Sequence, residues 1–254
     1  MLLSVHWVME ERVIVAFNRD KGMEKSMKKL GKIVALGAIC SLGSLSAADV
    51  IMDQIGAYDG SDTTGNLMAS QIFEAGFDVY NVGLLDDFTL DQTTNMSSIS
   101  AIIGGWNGYA GTGGITGYSV NIYMSPAEAG ASLDGFVSLY LANDVNPGVV
   151  YDSTWAGGGD HVSLDLSGVS LDAGTYWISV TAHNAYGSNG QTGVMGSNLG
   201  DFNAHQANPL NGFGFGGLQD TGANAAYSIS GSAIPAPGAL ALLGIAGLAS
   251  RRRR

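Results

Sequence analysis

Residues 118–125 read YSVNIYMS, and residues 174–180 read GTYWISV. In the second stretch the large residues Tyr176, Ile178 and Val180 occupy every other position, and the first stretch alternates in the same way. Successive side chains of a β-strand point to opposite faces of its sheet, so a repeat of two predicts a strand with one buried face. These two stretches therefore indicate a domain built from half-buried β-strands.

Eight further segments show this alternation or a short apolar run typical of strands: 71–74, 84–90, 98–103, 136–141, 149–154, 162–166, 213–216 and 225–230. Turn-forming pairs rich in Gly, Asn and Asp stand between them, as at 59–60, 107–108 and 211–212. With 38 glycines and only 13% charged residues, the composition argues against a helical bundle. We expect one all-β domain over 49–233, an antiparallel β-sandwich of the jelly-roll type, with an immunoglobulin-like sandwich as the alternative.

The charge of this domain has one sign. All 11 Lys and Arg residues lie before position 33 or at 251–254, so residues 49–250 contain 18 Asp and Glu but no Lys or Arg. Binding to nucleic acid is excluded, because neutralising phosphates requires basic side chains. Salt or a bound divalent cation would relieve the repulsion among the carboxylates. The oxygen-rich segment 59–66 offers Asp59, Asp62 and Asn66 as candidate calcium ligands, and an ordinary polar turn is the alternative.

The first 48 residues have the layout of an N-terminal extension followed by a secretory signal peptide. Basic residues precede an apolar run over 33–45, which is the predicted signal helix. Small residues then supply the cleavage site before the domain: Ser46, Ala47 and Ala48. We expect the natural start at Met23 or Met27 and a protein that is exported.

Residues 234–254 contain a proline motif, an apolar run and a basic end, in that order. The motif is Pro235, Ala236 and Pro237, and the apolar run covers 238–250. The basic end is Arg251, Arg252, Arg253 and Arg254. A helix over the run spans about 20 Å, less than the roughly 30 Å hydrocarbon core of a bilayer. The arginines favour the cytoplasmic face. This tripartite tail resembles the PEP-CTERM sorting signal, whose first motif is usually Pro-Glu-Pro. The resemblance implies transient insertion into the inner membrane and cleavage by an exosortase-type membrane protease.

The domain between the two ends carries no recognisable catalytic motif. A Gly-x-Ser-x-Gly elbow, a His-Glu-x-x-His helix and a phosphate-binding loop are all missing from its sequence. Asp86 and Asp87 are adjacent, and adjacent strand residues point to opposite faces, so this pair is not expected to flank one glycosidic bond. We predict no catalytic and no cofactor-binding residue. Trp177 lies opposite Tyr176 and Ile178 in the alternation and is the predicted exposed aromatic for contact with a glycan.

The sequence pattern of the domain, from LDDFTL at 85–90 to AAYSI at 225–229, also resembles that of the secreted β-sandwich domains that carry such tails. We therefore expect an exported, non-catalytic protein of the cell surface or extracellular matrix, sorted through its tail. A carbohydrate-binding module of the envelope or exopolysaccharide is the first alternative. A calcium-dependent glycan hydrolase or lyase is the second.

Overall fold

The structure is a computed structural model that describes residues 48–143 and 146–235. Three predicted features lie outside the described residues and remain predictions. They are the signal helix, Ser46 and Ala47 of the cleavage site, and the tail from Ala236 to Arg254. Within the described ranges, no helix has the length and apolar character needed to cross a bilayer.

The described residues form sixteen β-strands and very little helix. The strands are β1 Asp49–Asp53, β2 Thr63–Ala69, β3 Gln71–Ile72, β4 Gly83–Leu90, β5 Thr94–Trp106, β6 Ile115–Tyr123, β7 Val137–Ala142, β8 Val149–Tyr151, β9 Asp160–Asp165, β10 Ser170–Leu171, β11 Gly174–Asn184, β12 Gln191–Ser197, β13 His205–Ala207, β14 Leu218–Asp220, β15 Asn224–Ala225 and β16 Tyr227–Ala233. Two short α-helices, α1 Pro126–Ala131 and α2 Tyr186–Asn189, and two 3₁₀ turns, Asp78–Tyr80 and Thr112–Gly114, lie in the connections.

The strands form two sheets with the order of a jelly roll. The first sheet contains the run β2-β12-β5-β9, and the second contains the run β4-β11-β6-β7. Along these eight strands the chain changes sheet at every step except from β6 to β7, as it does in two interlocked Greek keys. The predicted all-β antiparallel sandwich is confirmed. In addition, β16 pairs with the first half of β5 and β1 pairs with β16, while β13 and β14 extend the second sheet beyond β4.

The core lies between the two sheets and contains the alternating residues that predicted the strands. Tyr176, Ile178 and Val180 of β11 face Ile99 and Ile103 of β5 across the sandwich, and all five are buried. The long strand β5 also buries residues on its other face, under the loop that follows β1. The largest gain in stability comes from this continuous apolar layer, since buried apolar area is the dominant favourable term in folding.

The structure corrects one sequence-based assignment and adds strands that were not predicted, β12 among them. Residues 213–216 are not a strand but part of the loop between β13 and β14, where Gly214 and Gly216 take positive φ angles of 79° and 84°. Strand β12 was not predicted, because all seven of its residues are buried and its sequence QTGVMGS shows no alternation. Strands enclosed on both faces lose the period-two pattern on which the prediction depends.

Strands β4 and β11 separate at one point, and two buried hydroxyl groups occupy the gap. Ser70 Oγ donates to Val180 O (2.7 Å) and accepts from Leu84 N (3.1 Å). Tyr227 Oη donates to Leu84 O (2.9 Å) and accepts from Val180 N (3.1 Å). These hydroxyls take the place of the backbone pair that Leu84 and Val180 would otherwise form. Beyond this point β3 enters between the strands, since Gln71 pairs with both Ala182 and Val82.

Candidate functional site

Where β3 ends, the separated strands leave a surface cleft walled by aromatic rings. We call it the aromatic cleft; it has a volume of about 270 Å³ and is lined by Phe73, Phe77, Tyr80, Tyr186, Gln191 and Phe213. The lining residues come from the β3–β4 connection, helix α2, the start of β12 and the β13–β14 loop. Four chain segments that are distant in sequence therefore build one site.

The rings form a bowl with Phe73 as its floor. Phe73 is 9% exposed, and its ring centroid lies 6.3 Å from those of Tyr80 and Tyr186 and 6.5 Å from that of Phe213. The ring centroid of Phe77 lies 5.9 Å from that of Tyr186 and 6.5 Å from that of Tyr80. The centroids of Tyr80 and Phe213 are 5.4 Å apart, and these contacts complete the wall of the bowl. Such tilted and edge-on contacts hold the rings in fixed orientations.

The wall residues are exposed although they are large and apolar. Phe77 and Phe213 are each 41% exposed, Tyr186 is 38% exposed and Tyr80 is 37% exposed. Scattered exposed aromatics need no explanation, whereas a cluster around one concavity marks a surface that contacts something else. The cluster is therefore the leading candidate for a binding site among the described residues.

Buried hydrogen bonds fix the β13–β14 loop, which carries Phe213, to the β3–β4 connection. Asn208 is fully buried, and its Nδ2 donates to the carbonyls of Val79 (2.9 Å) and Asn81 (2.8 Å). Its Oδ1 accepts the N–H of Phe213 at 2.9 Å. Position 212 must be glycine, because a Cβ there would lie 2.5 Å from Val79 O. The two sides of the bowl are thus preorganised.

Glu74 fixes the opposite side of the bowl, next to the floor residue Phe73. Its carboxylate accepts the backbone N–H groups of Tyr186 (2.7 Å) and Gly187 (2.9 Å) at the start of α2. Partial burial acts to raise the pKa of Glu74, but the N–H groups of Gly187 and Tyr186 outweigh it and hold that pKa below its ordinary value. A fixed negative charge therefore stands beside the cleft at neutral pH. The amide of Gln191, which accepts from Asn107 at 3.4 Å, is a polar group in the lining.

Trp177, the predicted glycan contact, lies elsewhere. Its side chain is on the outer face of the second sheet, opposite the core as expected, but it packs against a small apolar cluster that includes Leu85 and Tyr123. The ring is half-buried, and its Nε1 is buried without a hydrogen-bond partner among the described residues. Its contact with a glycan stays a prediction, and the exposed aromatics gather in the cleft instead.

The candidate calcium residues of segment 59–66 serve the turn in which they lie. Asp59 Oδ1 accepts the N–H of Ser61 (2.9 Å), and Asp62 Oδ2 accepts the N–H of Ala57 (2.8 Å). Asn66 is exposed on β2. Calcium binding by these three residues stays a prediction.

A different group of carboxylates comes together at the edge of β4. One oxygen each of Asp86, Asp87 and Asp201 lies within 4.8 Å of the others, a spacing that suits an oxygen-ligated cation. Asp86 points into the sandwich and Asp87 away from it, and they meet because pairing with β13 ends before them. Asp86 is fully buried and its oxygens already accept the N–H groups of Ala225 (2.7 Å) and Asp87 (3.0 Å). Its primary role is therefore to join β4 to β15.

A serine and a histidine also meet on the outer face of the second sheet. Ser119 Oγ lies 2.7 Å from Nε2 of His183, whose pKa is lowered by burial, and the ring of Tyr140 stands against the imidazole at 4.8 Å. A hydrolytic centre also needs a carboxylate that orients the imidazole and donors for an oxyanion. Among the described residues, no hydrogen bond joins His183 to a carboxylate, so the geometry gives no support for a hydrolytic centre at this pair.

No protein-family model and no curated protein sequence matches the chain. The aromatic cleft was not found from the sequence, because its residues sit in loops and show no periodicity. A usable signal was present in Phe73, Phe77 and Tyr80, three aromatics within eight residues in a segment rich in turn-forming residues.

Proposed function

We propose that the chain is an exported, non-catalytic protein of the cell surface or extracellular matrix whose jelly-roll domain binds polysaccharide through the aromatic cleft. The observation that carries the proposal is the group of four exposed rings, Phe77, Tyr80, Tyr186 and Phe213, around one concavity. Sugar rings present flat C–H faces that stack on aromatic side chains, while their hydroxyls need polar partners at the edges. Gln191 and Glu74 offer such partners.

The size of the cleft is consistent with this ligand class. Its volume of about 270 Å³ lies just below the range of about 300–1,000 Å³ typical of sites that enclose drug-sized molecules. A cleft of this size holds a short part of a chain and leaves the rest in solvent. An open aromatic surface of this kind suits a polymer better than a fully enclosed metabolite.

Export and sorting complete the proposal and rest on the sequence of the two ends. The signal-peptide layout before Asp49 would direct the chain out of the cytoplasm, and the PEP-CTERM-like tail would hold it for processing by an exosortase-type protease. A polysaccharide-binding domain delivered in this way would be retained by the envelope or by its surrounding matrix.

A glycan array tests the binding directly. The full-length chain, purified in a detergent without a sugar headgroup, is screened with and without calcium, and the best ligand is titrated by calorimetry. Tyr186→Ala and Phe213→Ala should each weaken binding by roughly tenfold, because each removes one stacking ring.

Tyr140→Ala is the matched control, because Tyr140 is 55% exposed on the outer face of the second sheet and does not line the cleft. Its affinity should equal that of the wild type. Binding that survives in both cleft variants, or that is lost equally in the control, would contradict the proposal.

A further inference from the structure

We propose that the aromatic cleft selects uncharged glycans and rejects glycans that carry carboxylate or sulfate groups. The inference rests on the proposed function and names the substrate class of the same site. It follows from the charges around the cleft and from the groups that an anionic sugar would need.

Two carboxylates lie in the segments that form the cleft. Glu74 adjoins the floor residue Phe73 and is held by the backbone of Tyr186 and Gly187, so its charge is fixed in position. Asp78 is exposed in the 3₁₀ turn that joins Phe77 to Tyr80. An anion entering the bowl approaches the short segment that carries both charges. Like charges a few ångströms apart repel measurably even in water.

The domain has nothing to offset this repulsion. Proteins recognise sugar carboxylates and sulfates with Arg and Lys, which give charge-assisted hydrogen bonds. Residues 49–250 contain neither, and their only cationic candidates are three histidines, His161, His183 and His205. None of the three lines the cleft. The net field of 18 carboxylates adds to the local repulsion over distances up to the Debye length.

An uncharged sugar meets no such penalty and still makes the favourable contacts. Its C–H faces cover Phe77, Tyr186 and Phe213, and its hydroxyls donate to the acceptors of Glu74 and Gln191. Of the two carboxylates that repel an acidic ligand, Glu74 thus also acts as an acceptor for a neutral one.

The test uses pairs of oligosaccharides that differ in one group. Oligomers of β-1,4-glucose, β-1,3-glucose and β-1,4-N-acetylglucosamine are each compared with the form oxidised at C6 to a carboxylate, by calorimetry with the full-length chain. The neutral member of the binding pair should bind at least about tenfold more tightly at low salt. The ratio should fall at about 0.5 M NaCl, where the Debye length is only a few ångströms.

Asp78→Asn isolates the charge from the shape. The affinity for the neutral member should stay the same. The ratio of the affinities for the neutral and oxidised members should fall by at least about twofold. Asp91→Asn is the matched control, because Asp91 is also exposed but follows the opposite end of β4. It should leave the ratio unchanged.

Two failures are distinguishable. If both members of a pair bind alike, or if the ratio does not respond to salt, the selection rule is wrong while glycan binding stands. If no oligosaccharide in either form binds, the proposed function is wrong and the selection rule falls with it.

Discussion

Replacing Asp86 by asparagine tests whether a buried carboxylate makes the stability of this domain depend on pH. Asp86 is fully buried among residues that carry no Lys or Arg. It accepts N–H groups from Ala225 and Asp87, and Nε2 of Gln54 donates to it at 2.8 Å when the amide is oriented to satisfy both of its neighbours. Burial nevertheless dominates and raises the pKa of Asp86 from 3.8 to about 7.

The direction of the effect follows from proton binding. Between pH 3.8 and about 7 the folded state holds a proton on Asp86 that the unfolded state has released. Stability must therefore fall as pH rises through this window, by up to about 1.4 kcal/mol per pH unit and about 4 kcal/mol in all. Below the window both states are protonated, and above it the full cost of burying the charge is present. Asparagine cannot ionise, so Asp86→Asn should lack this component.

Urea unfolding of the wild type and of Asp86→Asn at several pH values between 4 and 8 gives the comparison. The free energy of unfolding of the variant, relative to the wild type, should rise steadily with pH and level off above about pH 7. Asp91→Asn, an exposed carboxylate replaced in the same way, corrects for the general repulsion of an acidic domain. A difference between Asp86→Asn and wild type that stays constant with pH, within about 0.5 kcal/mol, would refute the reasoning.

Three further predictions concern the fold and the tail. Tyr227→Phe leaves Val180 N and Leu84 O without their hydroxyl partner and should lower the free energy of unfolding in urea by about 2 kcal/mol. Tyr118→Phe should lower it less, because the hydroxyl of Tyr118 pairs with that of the exposed Tyr151. Equal losses of stability would contradict the role of the Tyr227 hydroxyl between β4 and β11. The melting temperature should rise from low to high salt or with millimolar calcium, because 18 carboxylates lack Lys or Arg partners; unchanged melting would count against this. Replacing Arg251 to Arg254 by serine should leave the precursor unprocessed, as seen by intact mass. Mature protein that keeps the Arg251 to Arg254 peptide would show that the tail is an anchor.

Strands whose sequence alternates were predicted, whereas several strands without alternation were missed. β6, β9 and β11 place large apolar residues of the core at every second position, and this period of two is visible in the sequence. β12 is enclosed on both faces and β2 is short of large side chains, so neither showed the pattern. The segment 213–216 misled because alternating Phe and Gly resembles a strand, whereas two of its glycines take positive φ angles.

The site escaped prediction for a different reason, namely that it depends on an interruption of the sheet. Because Ser70 and Tyr227 hold β4 away from β11, β3 enters between them and delivers Phe73 to the end of the sandwich. No local pattern encodes this, since the hydroxyls and the strands they separate are far apart in the chain.

The same interruption of the sheet explains why the rings of the cleft are preorganised. Its floor is fixed by a strand inside the sheet, and its walls are fixed by buried Asn208 on one side and by the carboxylate of Glu74 on the other. A ligand then meets rings whose positions are set by backbone hydrogen bonds rather than by the ligand itself. In the proposed binding, little side-chain ordering would therefore remain to oppose association. On the proposed function, loss of Asn208 would therefore weaken binding without removing a single contact to the sugar.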